Sequence, residues 1–369
     1  MKRILFRKKY QEEKPLSLGS LTWKRFLKQK MGVISLAFIL LMILIAILGY
    51  LITPDQTPYC NEQHLEISLQ KPGFKSAFIQ FKSENVAKKQ NWIQIMLFGK
   101  RIENRIIPVQ SYEMTADSVH VLLYGGTNKE SIPLAELDAK NPVFNRTYYL
   151  GTDRYGRDVV SQLLMGTRIS LAVGAISVLI ALTIGVFLGS IAGYYGGKVD
   201  QLIVWFINVV WSIPTLLLVI AISFALGKGF WQIFIAMGLT MWVDVARVVR
   251  GQVLAYKEQE FVEAGKALGY SGLHIIFKHI LPNLTGTLIV LSASNFSSAI
   301  LMEAGLSFLG LGIQPPTPSW GMMMKENYAY IVLDHAYLAI VPGIAIMLLV
   351  LAFMLTGSAL RNAMDVRSK

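Results

Sequence analysis

Cysteine is nearly absent. Cys60 is the single one in 369 residues, which excludes an internal disulfide and a cysteine-rich metal site. Charge is also scarce. Asp, Glu, Lys and Arg make up 16% of the chain and hydrophobic residues 53%, whereas soluble domains carry about 25% charged residues. That balance excludes an ordinary soluble domain and marks a membrane protein. The phosphate-cradling G-x-x-x-x-G-K-[ST] pattern is missing, so the chain is not its own ATPase by that route. H-E-x-x-H is missing too, and the five histidines (64, 120, 274, 279, 335) are scattered, which argues against a zinc-dependent membrane hydrolase. An ion-coupled carrier is the better rival, but it would show internal repeats and charges at the membrane midplane. Neither is evident here. No cleavable signal peptide is expected, since the first apolar run begins near Met31 and is too long for one. The net charge of +12 would suit a nucleic-acid binder. A membrane protein that keeps basic residues on the cytoplasmic side explains it more simply, and no nucleic-acid partner is expected.

What is present falls into blocks. Residues 1–30 are a basic stretch with ten Lys or Arg, expected in the cytoplasm, with Trp23 at the inner interface. Residues 31–52 are uncharged and long enough to cross about 30 Å of hydrocarbon. Residues 53–165 are mixed polar and charged, with scattered prolines. Their strand-like runs predict a small β-rich insert on the far side of the membrane. Phe78–Phe81, Trp92–Leu97 and Val119–Tyr124 read as strands, and Ile106–Val109 as an edge strand because Pro108 removes a ladder donor. Residues 53–168 carry 14 Lys or Arg, which does not overturn the topology, because long loops translocate largely regardless of charge.

Residues 166–358 alternate apolar runs with short polar ones and end in a cytoplasmic tail, 359–369. Helices are predicted at about 169–193, 202–225, 230–247, 284–302 and 336–356. With the first span they make six crossings and place both termini on one side. Gly185, Gly189 and Gly193 are spaced for close helix approach. Pro214 should kink the third span, where Asn208 is expected to bond a neighbouring helix, the alternative being that it lines a pathway. Asp244 and Arg247 are spaced to pair. In the fifth span Ser294 and Ser298 share a face with Asn295 beside them, either the wall of a polar path or a set of interhelical hydrogen bonds. Glu303 at its outer end is either a functional group or a solvated helix end. Ala304–Met324 is also uncharged, but its prolines and glycines exclude a lipid-facing span.

The longest polar stretch of the second half, residues 255–283, separates two of these runs. Phe261–Leu268 reads as a helix stopped by Gly269. Ser271 can cap a second short helix, and Pro282 disfavours the α conformation at Leu281. Two short helices meeting at a glycine corner would plug into a groove on another protein.

Here the residues resemble a known family. Glu263, Ala264 and Gly265, then Gly269, then Leu281 and Pro282 are similar to the cytoplasmic loop signature of bacterial ABC import permeases, Glu-Ala-Ala, a glycine after three residues, and a later Ile-x-Leu-Pro. Gly265 stands where alanine is usual, at about 1 kcal/mol of helix stability, and His279 where isoleucine is usual. Leu150–Asp158 (LGTDRYGRD), followed by Leu163–Leu171, resembles the dipeptide, oligopeptide and nickel branch, as does Leu306–Gly321 (LSFLGLGIQPPTPSWG).

The resemblance implies an all-α polytopic membrane protein of the type I ABC importer fold, with the β-rich insert between helices 1 and 2. It implies the second permease subunit of an ATP-binding cassette importer that carries peptides across the cytoplasmic membrane, with nickel, an opine or another small solute as the alternative cargo. It implies a second permease, two ATPase subunits holding ATP and magnesium, and an extracytoplasmic solute-binding protein, with no cofactor or catalysis on this chain. Glu263, Ala264, Gly265, Gly269, Ser271, His279, Leu281 and Pro282 would dock the ATPase. Asp153, Gly156, Arg157 and Asp158 with Gln314, Pro315, Pro316 and Trp320 would form the outer face, their charges pairing internally in preference to binding a docked protein.

Overall fold

The computed structural model describes residues 18–82, 90–101, 104–139, 141–227 and 229–364. Most of the basic N-terminal stretch, Lys2 to Lys14, and the tail charges Arg367 and Lys369 lie outside them. The chain opens with α1 (Leu18–Leu27), whose Phe26 is buried against Ala359 and Ala363 while Trp23 stacks on it, half exposed, at 5.4 Å. The first span, α2 (Lys30–Leu48), is extended by a 3-10 turn to Leu51.

The insert is a five-stranded antiparallel sheet in the order β4-β3-β2-β1-β5, formed by β1 (Phe74–Gln80), β2 (Ile106–Met114), β3 (Ser118–Leu123), β4 (Lys129–Pro133) and β5 (Val143–Tyr148). Alternation puts Ile79, Val109, Val119 and Val121 into one apolar cluster and Phe78 and Tyr148 into another. Two expectations fail here. Trp92–Leu97 is not a strand but helix α3 (Trp92–Phe98). Asn91 and Gln94 close a reciprocal capping box at its start and Gly99, at φ 81°, ends it. That end chemistry outweighs the strand preference of Trp and Ile. Nor is Pro108 on an edge strand, since β2 is the middle of the sheet. It pairs with β1 over Ile106–Val109 and with β3 only from Val109 onward. Pro108 therefore sits on the half of the strand that is paired on one side alone, where a missing donor costs no ladder bond.

The helices that follow are α4 (Val159–Tyr195), α5 (Gly197–Trp211), α6 (Thr215–Leu226), α7 (Phe230–Lys257), α8 (Glu260–Ala267), α9 (Gly272–Ile275), α10 (Leu281–Phe308), α11 (Trp320–Asn327) and α12 (Tyr337–Met364). Among the described residues five helical stretches are long and apolar enough to cross a membrane, Lys30–Leu51, Val159–Tyr195, Trp231–Lys257, Gly272–Phe308 and Tyr337–Met364. The bent pair α5 and α6 makes up to a sixth. Its bend is 92°, far more than a kink, because Pro214 adopts extended backbone, ψ 124°, instead of staying helical.

Residues 163–171 are the first part of α4, whose 37 residues reach ~55 Å and so outrun the bilayer. Two further details differ from expectation. The chain stays helical at Leu281, φ −59° and ψ −38°, after a π turn over Ile276–Ile280. The wider turn re-registers the ladder just before Pro282, where a donor is missing. Asp244 and Arg247 form no ion pair with each other. Arg247 lies 3.9 Å over the Trp211 ring, and Arg250 instead grips Asp200 with two bonds of 2.5 and 2.7 Å.

The glycine stripe of α4 is used within the chain. A Cβ at Gly189 would stand 2.5 Å from the Ala246 carbonyl oxygen, and one at Gly193 2.8 Å from that of Arg250. Backbone cannot yield as a side chain does. Gly189→Leu is therefore expected to force α4 and α7 apart and destabilise the fold by about 1–3 kcal/mol. A thermal unfolding midpoint in detergent equal to the parent's would contradict this.

Candidate functional site

The polar stretch after α7 folds as a compact corner. At the end of α8 the Tyr270 N–H donates to the Gly265 carbonyl at 3.1 Å and the Gly269 N–H to that of Lys266 at 3.0 Å. This is the paired closure of a Schellman motif. It requires φ > 0 at Gly269, which has +80°. Ser271 then caps α9, its hydroxyl accepting from the His274 N–H at 3.4 Å. Val262, Ile275, Ile276 and Ile280 are buried beneath the corner.

Its outer surface is apolar. Leu268 is 71% exposed, and Tyr270, Leu273 and Phe277 are exposed too. Glu263, Lys266 and Lys278 are exposed on the same stretch, as are Ala264 and Pro282, while Leu281 is half-buried. Patches of this kind, rimmed by charge, mark protein contact sites. A cluster that sequence reasoning missed joins the two sides of the corner. The Tyr270 ring stacks on His279 at 5.7 Å and lies 4.7 Å from His274. The recurrence of rings at 270, 274 and 279 was the available signal. Gly265, the departure from alanine, is buried but roomy, since a Cβ there meets nothing closer than 3.6 Å. Gly265→Ala is accordingly expected to stabilise the corner by up to about 1 kcal/mol. A lowered unfolding midpoint would refute that.

At the other end of the helices, Leu150–Asp158 and Leu306–Gly321 form one body. Asp153 accepts from the backbone N–H groups of Tyr155 and Arg157, both at 2.9 Å. The Arg157 side chain bridges Asp153 and Glu326 at 2.6 Å each. Burial pushes the Arg157 guanidinium down, but Asp153 and Glu326 outweigh it and hold it above its usual value. Arg154 reaches Glu326 at 3.4 Å. Asp158 takes no part in the ion pairs. It caps α4 by accepting from the Ser161 N–H at 2.8 Å, and burial raises its carboxyl above the ordinary range. Gly156, φ +72°, packs so tightly on the His64 backbone that no Cβ fits. Trp320 is buried against Gly166 and donates to the Leu163 carbonyl at 2.9 Å. Pro315 and Pro316, joined by a cis peptide bond, border Arg157 and Glu326, and Gln314 closes its own turn onto Gly312 at 2.9 Å. Glu326 was not legible as a partner, because only the packing of α11 brings it to Arg157.

The polar positions of α10 divide. Ser294 and Ser298 are exposed on one face. Asn295 is buried, and Ser297 donates to the Val350 carbonyl of α12 at 3.2 Å. Glu303 is not a solvated helix end but fully buried. Ser307 donates to it at 2.7 Å, and its second oxygen has no partner among the described residues. Asn208, expected to bond a neighbouring helix, is exposed instead. Among the described residues no group of three or more His, Cys, Asp or Glu is placed to hold a metal ion.

Comparison with known proteins bears on these sites. The family described as binding-protein-dependent transport system inner membrane component matches residues 185–367, and the N-terminal TM domain of oligopeptide transport permease C matches 17–72. The chain is 40% identical over 234 residues to a glutathione transport system permease protein of Pectobacterium atrosepticum, covering 63% of this chain and 77% of that protein. It is 40% identical to a dipeptide transport system permease protein of Bacillus subtilis, with 64% and 73% covered. It is 38% identical to the oligopeptide permease of the same organism, with 62% and 74% covered. An inward-facing structure of a methionine ABC transporter aligns with a TM-score of 0.46 at 18% identity, covering 55% of this chain and 97% of that chain. Residues 73–184, which hold the sheet, fall between the two family matches.

Proposed function

The chain belongs to the family of binding-protein-dependent transport system inner membrane components, and on that premise we propose that it is a permease subunit importing peptides through a membrane, driven by ATP hydrolysis on separate subunits. Its relatives are named for dipeptides, oligopeptides and glutathione, which supports a peptide cargo. The observation that carries the mechanism is the corner at Gly269, an exposed apolar knob on a rigid turn. It docks in a groove of an ATPase, and closure of two ATPases around bound ATP and magnesium moves it. The helices behind it rock, opening the path to one side and then the other. Both termini and the corner lie in the cytoplasm, and the sheet on the opposite side. A second permease completes the path, to which Ser294 and Ser298 present their exposed hydroxyls. Asn295 and Glu303 are buried behind that wall. A solute-binding protein delivers the peptide to the face built around Arg157 and Trp320. This subunit does no covalent chemistry.

Deleting the gene is expected to abolish ATP-dependent uptake of labelled di- and oligopeptides, and complementation to restore it. Unchanged peptide uptake in the deletion strain would refute the assignment.

A further inference from the structure

Helix α3 is an anomaly within the insert. A soluble β domain would bury the apolar side of a helix against its sheet. In α3 none of the seven residues is buried. Trp92 is 64% exposed and Phe98 70%, with Ile93 and Leu97 also exposed. The helix is nevertheless firmly built, by the Asn91 and Gln94 capping box at one end and Gly99 at the other. Gln90 straps its ends together, donating to the Gly99 carbonyl at 3.2 Å.

Its position says what faces it. The α3 backbone lies on the last turn of span 1. A Cβ at Gly49 would stand 3.1 Å from the Met96 carbonyl oxygen. Arg168 of α4 donates to the Leu97 carbonyl at 3.2 Å. Thus α3 sits at the level where the first span, Lys30–Leu51, leaves the hydrocarbon. Leu44, Ile47 and Leu51 of that span are exposed, like Trp92, Ile93, Leu97 and Phe98 of α3. Lys100 and Arg101 follow directly and are exposed. Tryptophan and phenylalanine beside cations are the residues that settle at a membrane interface, with the cations at the level of lipid phosphates.

We propose that α3 lies in the headgroup layer of the leaflet on the insert's side and buries Trp92, Ile93, Leu97 and Phe98 among lipid chains. It is a second membrane anchor, tying the sheet down beside span 1. This rests only on span 1 crossing the bilayer and stands or falls independently of the peptide cargo.

The test uses the full chain in vesicles of phosphatidylethanolamine and phosphatidylglycerol. An environment-sensitive fluorophore is attached at Phe98→Cys and, separately, at Trp92→Cys, with buried Cys60 left in place and labelled parent protein as the blank. A probe in the headgroup layer is expected to emit at shorter wavelength than in water and to lose most of its fluorescence to lipids carrying a shallow doxyl group. It should lose less to deeply labelled lipid and resist iodide in the aqueous phase. Trp92, at the other end of the helix, gives an independent reading if labelling at Phe98 disturbs the helix. Free quenching by iodide with none by doxyl lipid at both positions would overturn the anchor. So would shielding that appears only when a second permease or a solute-binding protein is added, because the apolar side would then be a protein contact.

Discussion

Gly269→Val is expected to abolish transport and to uncouple ATP hydrolysis from it, while the protein still inserts and folds in the membrane. No clash produces this effect, since a Cβ at Gly269 meets nothing within 4 Å. The cost lies in the backbone. Its φ of +80° is open to glycine, whereas an ordinary L residue pays roughly 1–2 kcal/mol there and a β-branched one more. The valine relieves that strain by leaving the left-handed region. The bonds from Tyr270 to Gly265 and from Gly269 to Lys266 then open, and α9 no longer meets α8 at the same angle. A shift of this size barely touches global stability, because Val262, Ile275 and Ile280 stay buried. It does re-aim the exposed surface of Leu268, Tyr270 and Phe277. Gly269→Asn, which tolerates the left-handed region, should retain part of the activity. Uptake, ATPase stimulation in proteoliposomes and protease accessibility of the loop report these effects together. Wild-type uptake by the valine variant would reject the docking role of this corner.

Arg157→Met is expected to cost about 3–5 kcal/mol of stability, since removing one member of a buried ion network leaves Asp153 without its counter-charge and Glu326 with only the longer contact to Arg154. Asp153 and Glu326 both face the guanidinium at 2.6 Å, and the side chains of all three are under a tenth exposed. Without the cation, two carboxylates share a cleft with the prolines of the 315–318 turn. That repulsion separates Leu150–Asp158 from α11, so Trp320 should loosen from Leu163 as well. Arg157→Lys should fall between, since an ammonium cannot present the planar fork that bridges both acids. Adding Asp153→Asn and Glu326→Gln to the methionine variant should recover part of the loss, because neutral amides tolerate burial without a counter-charge. Thermal unfolding of purified protein in detergent measures each step. A methionine variant that unfolds at the parent's temperature would show that the network contributes nothing to stability.

The membrane architecture was legible because bilayer crossing imposes a length and a composition that local sequence cannot hide. Residues 31–52, Pro214, the glycines of α4 and the broken stretch after Phe308 all behave as their residue types require. The corner was equally legible. A glycine after an amphipathic turn and a serine before the next are short-range signals, and the bonds they predict close within six residues. The failures share a cause. Whether residues 92–98 became strand or helix turned on a reciprocal cap at Asn91 and Gln94. Whether Pro108 lay at an edge turned on where β3 begins to pair.

Composition and periodicity by themselves determined that this chain crosses a membrane several times, carries a separate β insert and exposes a two-helix corner, because each of those rests on spacing along the chain. Only the tertiary structure decided which charges meet, that Arg157 serves Glu326 as well as Asp153, that Arg250 chooses Asp200 over Asp244, and that Glu303 is buried. Ion pairing and burial depend on distances between segments far apart in sequence, and packing alone sets those distances.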